Sequence, residues 1–135
     1  MTYEVPIEAG KIREFARSVQ SRNEAYAGSD AIVTPTFLTT ARNTWQPAED
    51  NPLAGVTLDL RRVLHAEEEY RFHGRVPHAG ETLTVTARIG DEWTKEGKRG
   101  GTMRFITMVN EFRDAAGELV AEQITTLVET GKAPS

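Results

Sequence analysis

The sequence predicts an α+β domain on three observations: a helical period near the N-terminus, an irregular middle, and a second half whose apolar period falls to two. The helix is expected from Glu8 to about Gln20. There Ile12, Phe15, Ala16 and Val19 recur at three- and four-residue spacing and share one face, while Arg13, Glu14, Arg17 and Ser18 fill the other. Ser21 to Pro52 carries Gly28, Ser29, Asp30 and Pro35 and reads as loops and short helical turns. Thr36, Phe37, Leu38 and Trp45 are expected to pack back on the body, and residues 46–52 to form an exposed, mobile loop.

Strands follow. In Leu64 to Phe72, alternation sends Leu64, Ala66, Tyr70 and Phe72 one way and His65, Glu67, Glu69 and Arg71 the other; Glu68 interrupts the apolar side. Arg75 to Glu81 turns the chain at Pro77 and Gly80. Thr82 to Ile89 alternates cleanly, with Leu83, Val85, Ala87 and Ile89 inward. Trp93 to Glu96, the turn Gly97-Lys98-Arg99-Gly100-Gly101, and Met103 to Arg113 predict a hairpin. Its second strand is apolar on both faces, Met103, Phe105 and Val109 against Ile106, Met108 and Phe112, and so is covered on both sides. Asp114 to Glu118 turns into a last strand, Leu119 to Glu129, and 131–135 is expected to be a frayed tail. The expectation is one domain over residues 1–135 with about four consecutive antiparallel strands.

Composition narrows the function. At 135 residues a core can form without staples, and the absence of cysteine removes disulfides, thiolate nucleophiles and thiolate metal ligands. A net charge of -4, with Lys and Arg scattered, argues against nucleic acid as a partner. No secretory signal and no membrane span is read, so the expected compartment is the cytoplasm and the membrane is not an expected partner. His65, His73 and His78 have no metal-site spacing; they read as surface imidazoles, with no metal and no cofactor expected.

Three segments carry a family resemblance. Val33-Thr34-Pro35-Thr36-Phe37-Leu38 looks like the apolar-x-Pro-Pro-Thr-Phe element of the N-terminal MaoC-like dehydratase domain, with Thr34 in place of the first proline. Arg75-Val76-Pro77-His78-Ala79-Gly80-Glu81-Thr82-Leu83-Thr84-Val85 resembles the Arg-Pro-x-x-x-Gly-Asp-x-Leu-x-Val turn of hot-dog dehydratases. Gly97 to Phe105 and Asp114 to Gln123 are similar to the glycine-broken hairpin and the Gly-Glu-Leu-Val-Ala-Glu ending of the same domains. The group includes the small (3R)-hydroxyacyl thioester dehydratase subunits of mycobacterial fatty-acid elongation.

The resemblance implies a hot-dog fold, an antiparallel sheet wrapped around a long central helix, and dimers whose sheets join edge to edge. It implies a hydro-lyase that reversibly adds water to trans-2-enoyl thioesters. Such chemistry needs a base for water, an acid for the α-carbon, and donors at the thioester oxygen. The hydratase relatives supply acid and base in an Asp-x-Asn-Pro-x-His segment. Here that segment is Ser21-Arg22-Asn23-Glu24-Ala25-Tyr26, in which only Asn23 matches. Neither a serine nor a tyrosine hydroxyl is a base near neutral pH without activation.

The expectation is therefore a non-catalytic half that shapes the acyl pocket while a partner hot-dog subunit supplies Asp and His. Glu24 is a stand-in base if buried and a solvated carboxylate otherwise; Tyr26 is either a donor to substrate or a packed side chain. Pro35, Thr36, Phe37, Leu38 and Trp45 are candidate acyl-channel residues, indistinguishable at this point from core. Lys95, Lys98, Arg99, Gly100 and Gly101 are candidates for contact with the phosphates of coenzyme A or with acyl carrier protein, against the alternative of a solvated hairpin tip. The alternative functions are a homodimeric acyl-thioester binding module without turnover, and a thioesterase.

Overall fold

A computed structural model of the chain describes residues 2–131. Five strands form one antiparallel sheet: β1 (Thr2–Pro6), β2 (Val63–Phe72), β3 (Thr82–Glu96), β4 (Thr102–Arg113) and β5 (Leu119–Glu129), in the order β1-β3-β4-β5-β2. One α-helix, α1 (Ala9–Ser18), follows β1. Short 3-10 turns and one π-helical turn, Ala41–Trp45, carry the chain to β2. The architecture is α+β, as the sequence predicts, and β1 is an addition to it. That strand has only Tyr3 and Val5 to show alternation and ends at Pro6, which an edge strand tolerates.

The helix is shorter than expected and stops for a local reason. Gln20 takes a left-handed φ of 59°, its N–H donates to Arg17 O at 3.0 Å, and the Ser21 N–H donates to Ala16 O at 2.9 Å. These two bonds satisfy carbonyls of the last turn and close the helix before Val19, which is left exposed. Ile12 and Ala16 are buried on the sheet side, and Phe15 meets Phe37 edge-on at 5.7 Å between ring centroids. Phe37, Leu38 and Ala41 join them in the core with Val5, Leu83, Val85, Phe112 and Ala121 from the inner face of the sheet. Burying an aliphatic side chain such as Ile12 contributes about 1.5–3 kcal/mol.

The turn before β3 is held by charge. Arg75 grips Glu81 with two hydrogen bonds, 2.9 and 2.6 Å, and reaches Asp114 at 3.3 Å, while Glu81 also accepts the His78 N–H at 2.8 Å. This ties the 75–81 turn to the β4–β5 connection. Gly80, at φ 93°, supplies the left-handed step the turn needs.

Two irregularities reshape the strands. β3 runs unbroken through both expected segments, with a register shift between Ile89 and Glu92, where the Asp91 N–H donates to Thr107 Oγ1 at 2.6 Å. In β2 the register shifts between His65 and Glu67, so Ala66 is an extra residue. The shift corrects the expected facing: His65 lies on the inner face with Glu68, Tyr70 and Phe72, and Leu64 points away and is exposed. Residues 46–52 contain the 3-10 turn Ala48–Asp50, closed by the Gln46 Nε2 to Asp50 O bond at 2.8 Å. Of the tail expected at 131–135, all but Gly131 lies outside the described residues.

Candidate functional site

The segment matching the hydratase motif directly follows α1. Its polar side chains serve the local backbone: Ser21 Oγ accepts from Asn23 N–H at 3.3 Å, and Asn23 Oδ1 accepts from Ala25 N–H at 3.0 Å, capping the 3-10 turn Glu24–Tyr26. Glu24 is exposed, so the burial that a stand-in base would require is missing. Tyr26 is half-buried and packs on the core. Ser21 and Arg22 join Arg17 and Gln20 around a hollow of about 520 Å³.

The candidate acyl residues divide into two layers. Phe37 and Leu38 are each 1% exposed and belong to the core, whereas Pro35 and Thr36 lie at the surface and Trp45 is 36% exposed. The basic hairpin forms as expected. Gly97 N–H donates to Gly101 O at 2.9 Å and Gly100 N–H to Gly97 O at 3.0 Å, with Gly100 and Gly101 at φ 90° and 77°. Lys98 and Arg99 sit exposed at its tip, and Lys95 is exposed on β3. None of the three has a carboxylate partner among the described residues.

These groups do not converge within one protomer. β1, which leads into α1 and the degenerate motif, pairs with β3 only over Thr82–Thr86, while the hairpin tip lies beyond Glu96. At ~3.3 Å per residue the two ends are about 30 Å apart along the strand. From Ala87 to Glu96, β3 is bonded to β4 on one side and, among the described residues, pairs with no strand on the other. On the outer side of this stretch Trp93, 43% exposed, stacks flat on Phe105 at 5.1 Å.

A polar cluster that sequence reasoning missed lies on the inner face. Asn110 Nδ2 donates to Gln123 Oε1 at 3.1 Å, and Gln123 Nε2 donates to Glu68 Oε1 and lies 3.4 Å from Tyr70 Oη. Thr125 Oγ1 donates to the same Glu68 oxygen at 3.1 Å and accepts from Arg42 Nη2 at 2.9 Å. The second Glu68 oxygen meets His65 Nε2 at 2.7 Å. Burial works against a charge on Glu68, but hydrogen bonds from Gln123, His65 and Thr125 and the field of Arg42 outweigh it and lower its pKa. Burial pushes the hydroxyl of Tyr70, which lies beside Glu68, up to about 12, and does the same to Tyr3 in the hydrophobic core. Among the described residues, no group of three or more His, Cys, Asp or Glu is placed to hold a metal ion. Nor is any helix there long and apolar enough to cross a membrane.

Comparison with known proteins agrees with this architecture. The family described as FAS1-like, dehydratase domain region, matches residues 2–123. A UPF0336 protein of Thermobifida fusca is 32% identical over 148 residues, covering 98% of this chain and 91% of the relative. A second, from Streptomyces coelicolor, is 34% identical over 136 residues, covering 91% of this chain and 85% of the relative. Among solved structures, the ChsH1-ChsH2 complex from Mycobacterium tuberculosis superposes with a TM-score of 0.80 at 18% identity, over 100% of this chain and 85% of the other. The HadBC (3R-hydroxyacyl-ACP dehydratase) complex from the same organism gives 0.75 at 20%, over 95% and 94%. These likenesses show the hot-dog fold.

Proposed function

Because the chain belongs to the FAS1-like dehydratase-region family, of MaoC-like hot-dog fold, we propose that it is the non-catalytic half of a (3R)-hydroxyacyl thioester dehydratase, equally a trans-2-enoyl thioester hydratase. The observation that carries this is the state of the motif segment. Ser21 and Asn23 accept from nearby backbone N–H groups, Glu24 is solvated, and Tyr26 is packed, which supports the reading that the segment holds no acid–base pair for water addition. A partner hot-dog subunit supplies Asp and His in this reading. The two-subunit complexes among the structural neighbours support it, HadBC being itself described as a hydroxyacyl-ACP dehydratase.

The free edge of β3 over Ala87–Glu96 is the place for the partner's strand. Antiparallel pairing there carries each hairpin tip toward the other subunit's end of β3. Lys95, Lys98 and Arg99 then offer unpaired cations to coenzyme A phosphates or to an acidic carrier protein, with Gly100 and Gly101 shaping the tip. Pro35, Thr36 and Trp45 face the acyl group, backed by Phe37 and Leu38. The setting is cytoplasmic fatty-acid metabolism.

The test is co-expression with a neighbouring hot-dog chain that keeps the Asp-x-Asn-Pro-x-His segment. A heterodimer by native mass that hydrates crotonyl-CoA and a long-chain enoyl-CoA, where this chain alone does not, is the expected result. Hydration at ordinary enzymatic rates by this chain alone would overturn the proposal.

A further inference from the structure

The inner face carries an acid–base arrangement separate from the motif segment. In an unbroken strand, residues three apart point to opposite faces. The extra residue Ala66 removes that alternation, and His65 and Glu68 meet on one face at 2.7 Å. A bulge that re-aims a side chain is a recurrent device beside active sites. The Glu68 side chain is 22% exposed and that of His65 is 55% exposed, so the carboxylate is set into the protein and the imidazole faces outward.

The supports behind the pair fix its protonation. Gln123 and Thr125 both donate to one Glu68 oxygen, and Arg42, bonded to Thr125, adds positive field. A carboxylate receiving these donors is held ionised and accepts from His65, so in the neutral ring the proton is the one on Nε2. Nδ1 is left with its lone pair and makes no hydrogen bond among the described residues. Donors orient a carboxylate, the carboxylate orients an imidazole, and the imidazole presents a free basic nitrogen; this is the relation that activates a nucleophile in hydrolases.

We propose that His65 and Glu68 form a water-activating dyad that hydrolyses acyl thioesters. Nδ1 of His65 takes a proton from water as the water oxygen bonds to the thioester carbonyl carbon. The C–S bond then breaks, and the imidazolium returns the proton to the leaving thiolate, giving a carboxylic acid and a free thiol with no other reactant. The chemistry fits hydrolysis better than hydration. Enoyl hydration asks for a base at water together with a proton donor at the α-carbon, and Glu68, held ionised, has no proton to give. Hydrolysis asks one group to take a proton and hand it back to sulfur. The choice of acyl thioester as substrate rests on the proposed function above; the dyad's geometry does not.

The test uses the full chain, alone and in the heterodimer, with butyryl-CoA as probe. This saturated thioester cannot be hydrated, and free thiol release is followed directly. The expected result is release above the uncatalysed rate, falling at least about a hundredfold in His65→Gln, the scale of a lost general base. Added imidazole should restore part of the rate in His65→Ala, and Glu68→Gln should lower kcat with little change in KM. Because His65 is half-exposed, its variants keep the fold, which the thermal unfolding curve checks. No release above background, an unchanged rate in His65→Gln, or no rescue by imidazole would each overturn the dyad. Crotonyl-CoA hydration measured on the same heterodimer separates the two proposals: hydration without thiol release removes only the dyad, and thiol release without hydration leaves the dyad and removes the accessory-subunit reading.

Discussion

Gln123 is wholly buried at the centre of the inner-face cluster, bonded to Asn110 and Glu68 and close to Tyr70. Gln123→Leu keeps the volume and strands those polar groups, so it should destabilise the fold by about 2–3 kcal/mol in urea unfolding. A loss under about 0.5 kcal/mol would show that the cluster does not act as a unit. Acid stability follows from the same face and from the 75–81 turn. For both Glu68 and Glu81, burial raises the carboxyl pKa, but hydrogen bonds and nearby cations outweigh it and the net shift is downward. A folded pKa below the unfolded value, ~4.3, gives stability that is complete above that value and lost as pH falls through the lower one. Glu68→Gln and Glu81→Gln should each flatten the acid limb of a stability–pH curve below about pH 4. Glu68 was visible in the sequence only as a break in alternation. The one residue that explains it, the extra Ala66, has no periodic signature, so alternation alone places His65 on the opposite face from the one it occupies.

Among the elements, β3 was legible as two pieces and is one strand. The junction is Gly90 and Asp91, where the sheet admits a bulge. A Cβ on Gly90 would run into Thr107 Oγ1 and come within 3.1 Å of Val109 Cγ2. Thr107 Oγ1 is committed there, accepting from Asp91 N–H and lying 3.2 Å from Asp91 O, so it cannot yield freely. Gly90→Ala should cost about 1–3 kcal/mol by denaturant unfolding and loosen the end of β3 beyond the bulge, seen as faster amide exchange from Glu92 to Glu96. An unchanged stability would mean that the bulge adapts without strain. α1 was readable from its buried stripe of Ile12, Phe15 and Ala16, but its end was not. Val19 continues the stripe in sequence, whereas the left-handed step at Gln20, usually taken by glycine, ends it in space.

For the molecule as a whole, alternation and turn chemistry in the second half were enough to indicate an α+β antiparallel sheet, because they are local, while the hot-dog fold itself came from the resemblance of three segments to a known family. What local signals do not carry is convergence. The degenerate motif and the basic hairpin lie at opposite ends of β3, and nothing in their spacing along the chain shows that one protomer keeps them apart. That separation is the whole-molecule reason to expect a composite site, with the free β3 edge as the seam.

If a partner subunit supplies the acid–base pair for water addition, altering the motif segment of this chain should leave hydration intact. The most direct measurement is the rate of crotonyl-CoA hydration by the heterodimer with Ser21→Ala and Tyr26→Phe combined in this subunit, beside a heterodimer whose partner has lost its motif histidine. The expected rate is within about threefold of the unaltered complex for the first and at least about a hundredfold lower for the second. A hundredfold fall in the first would place the chemistry in this chain instead.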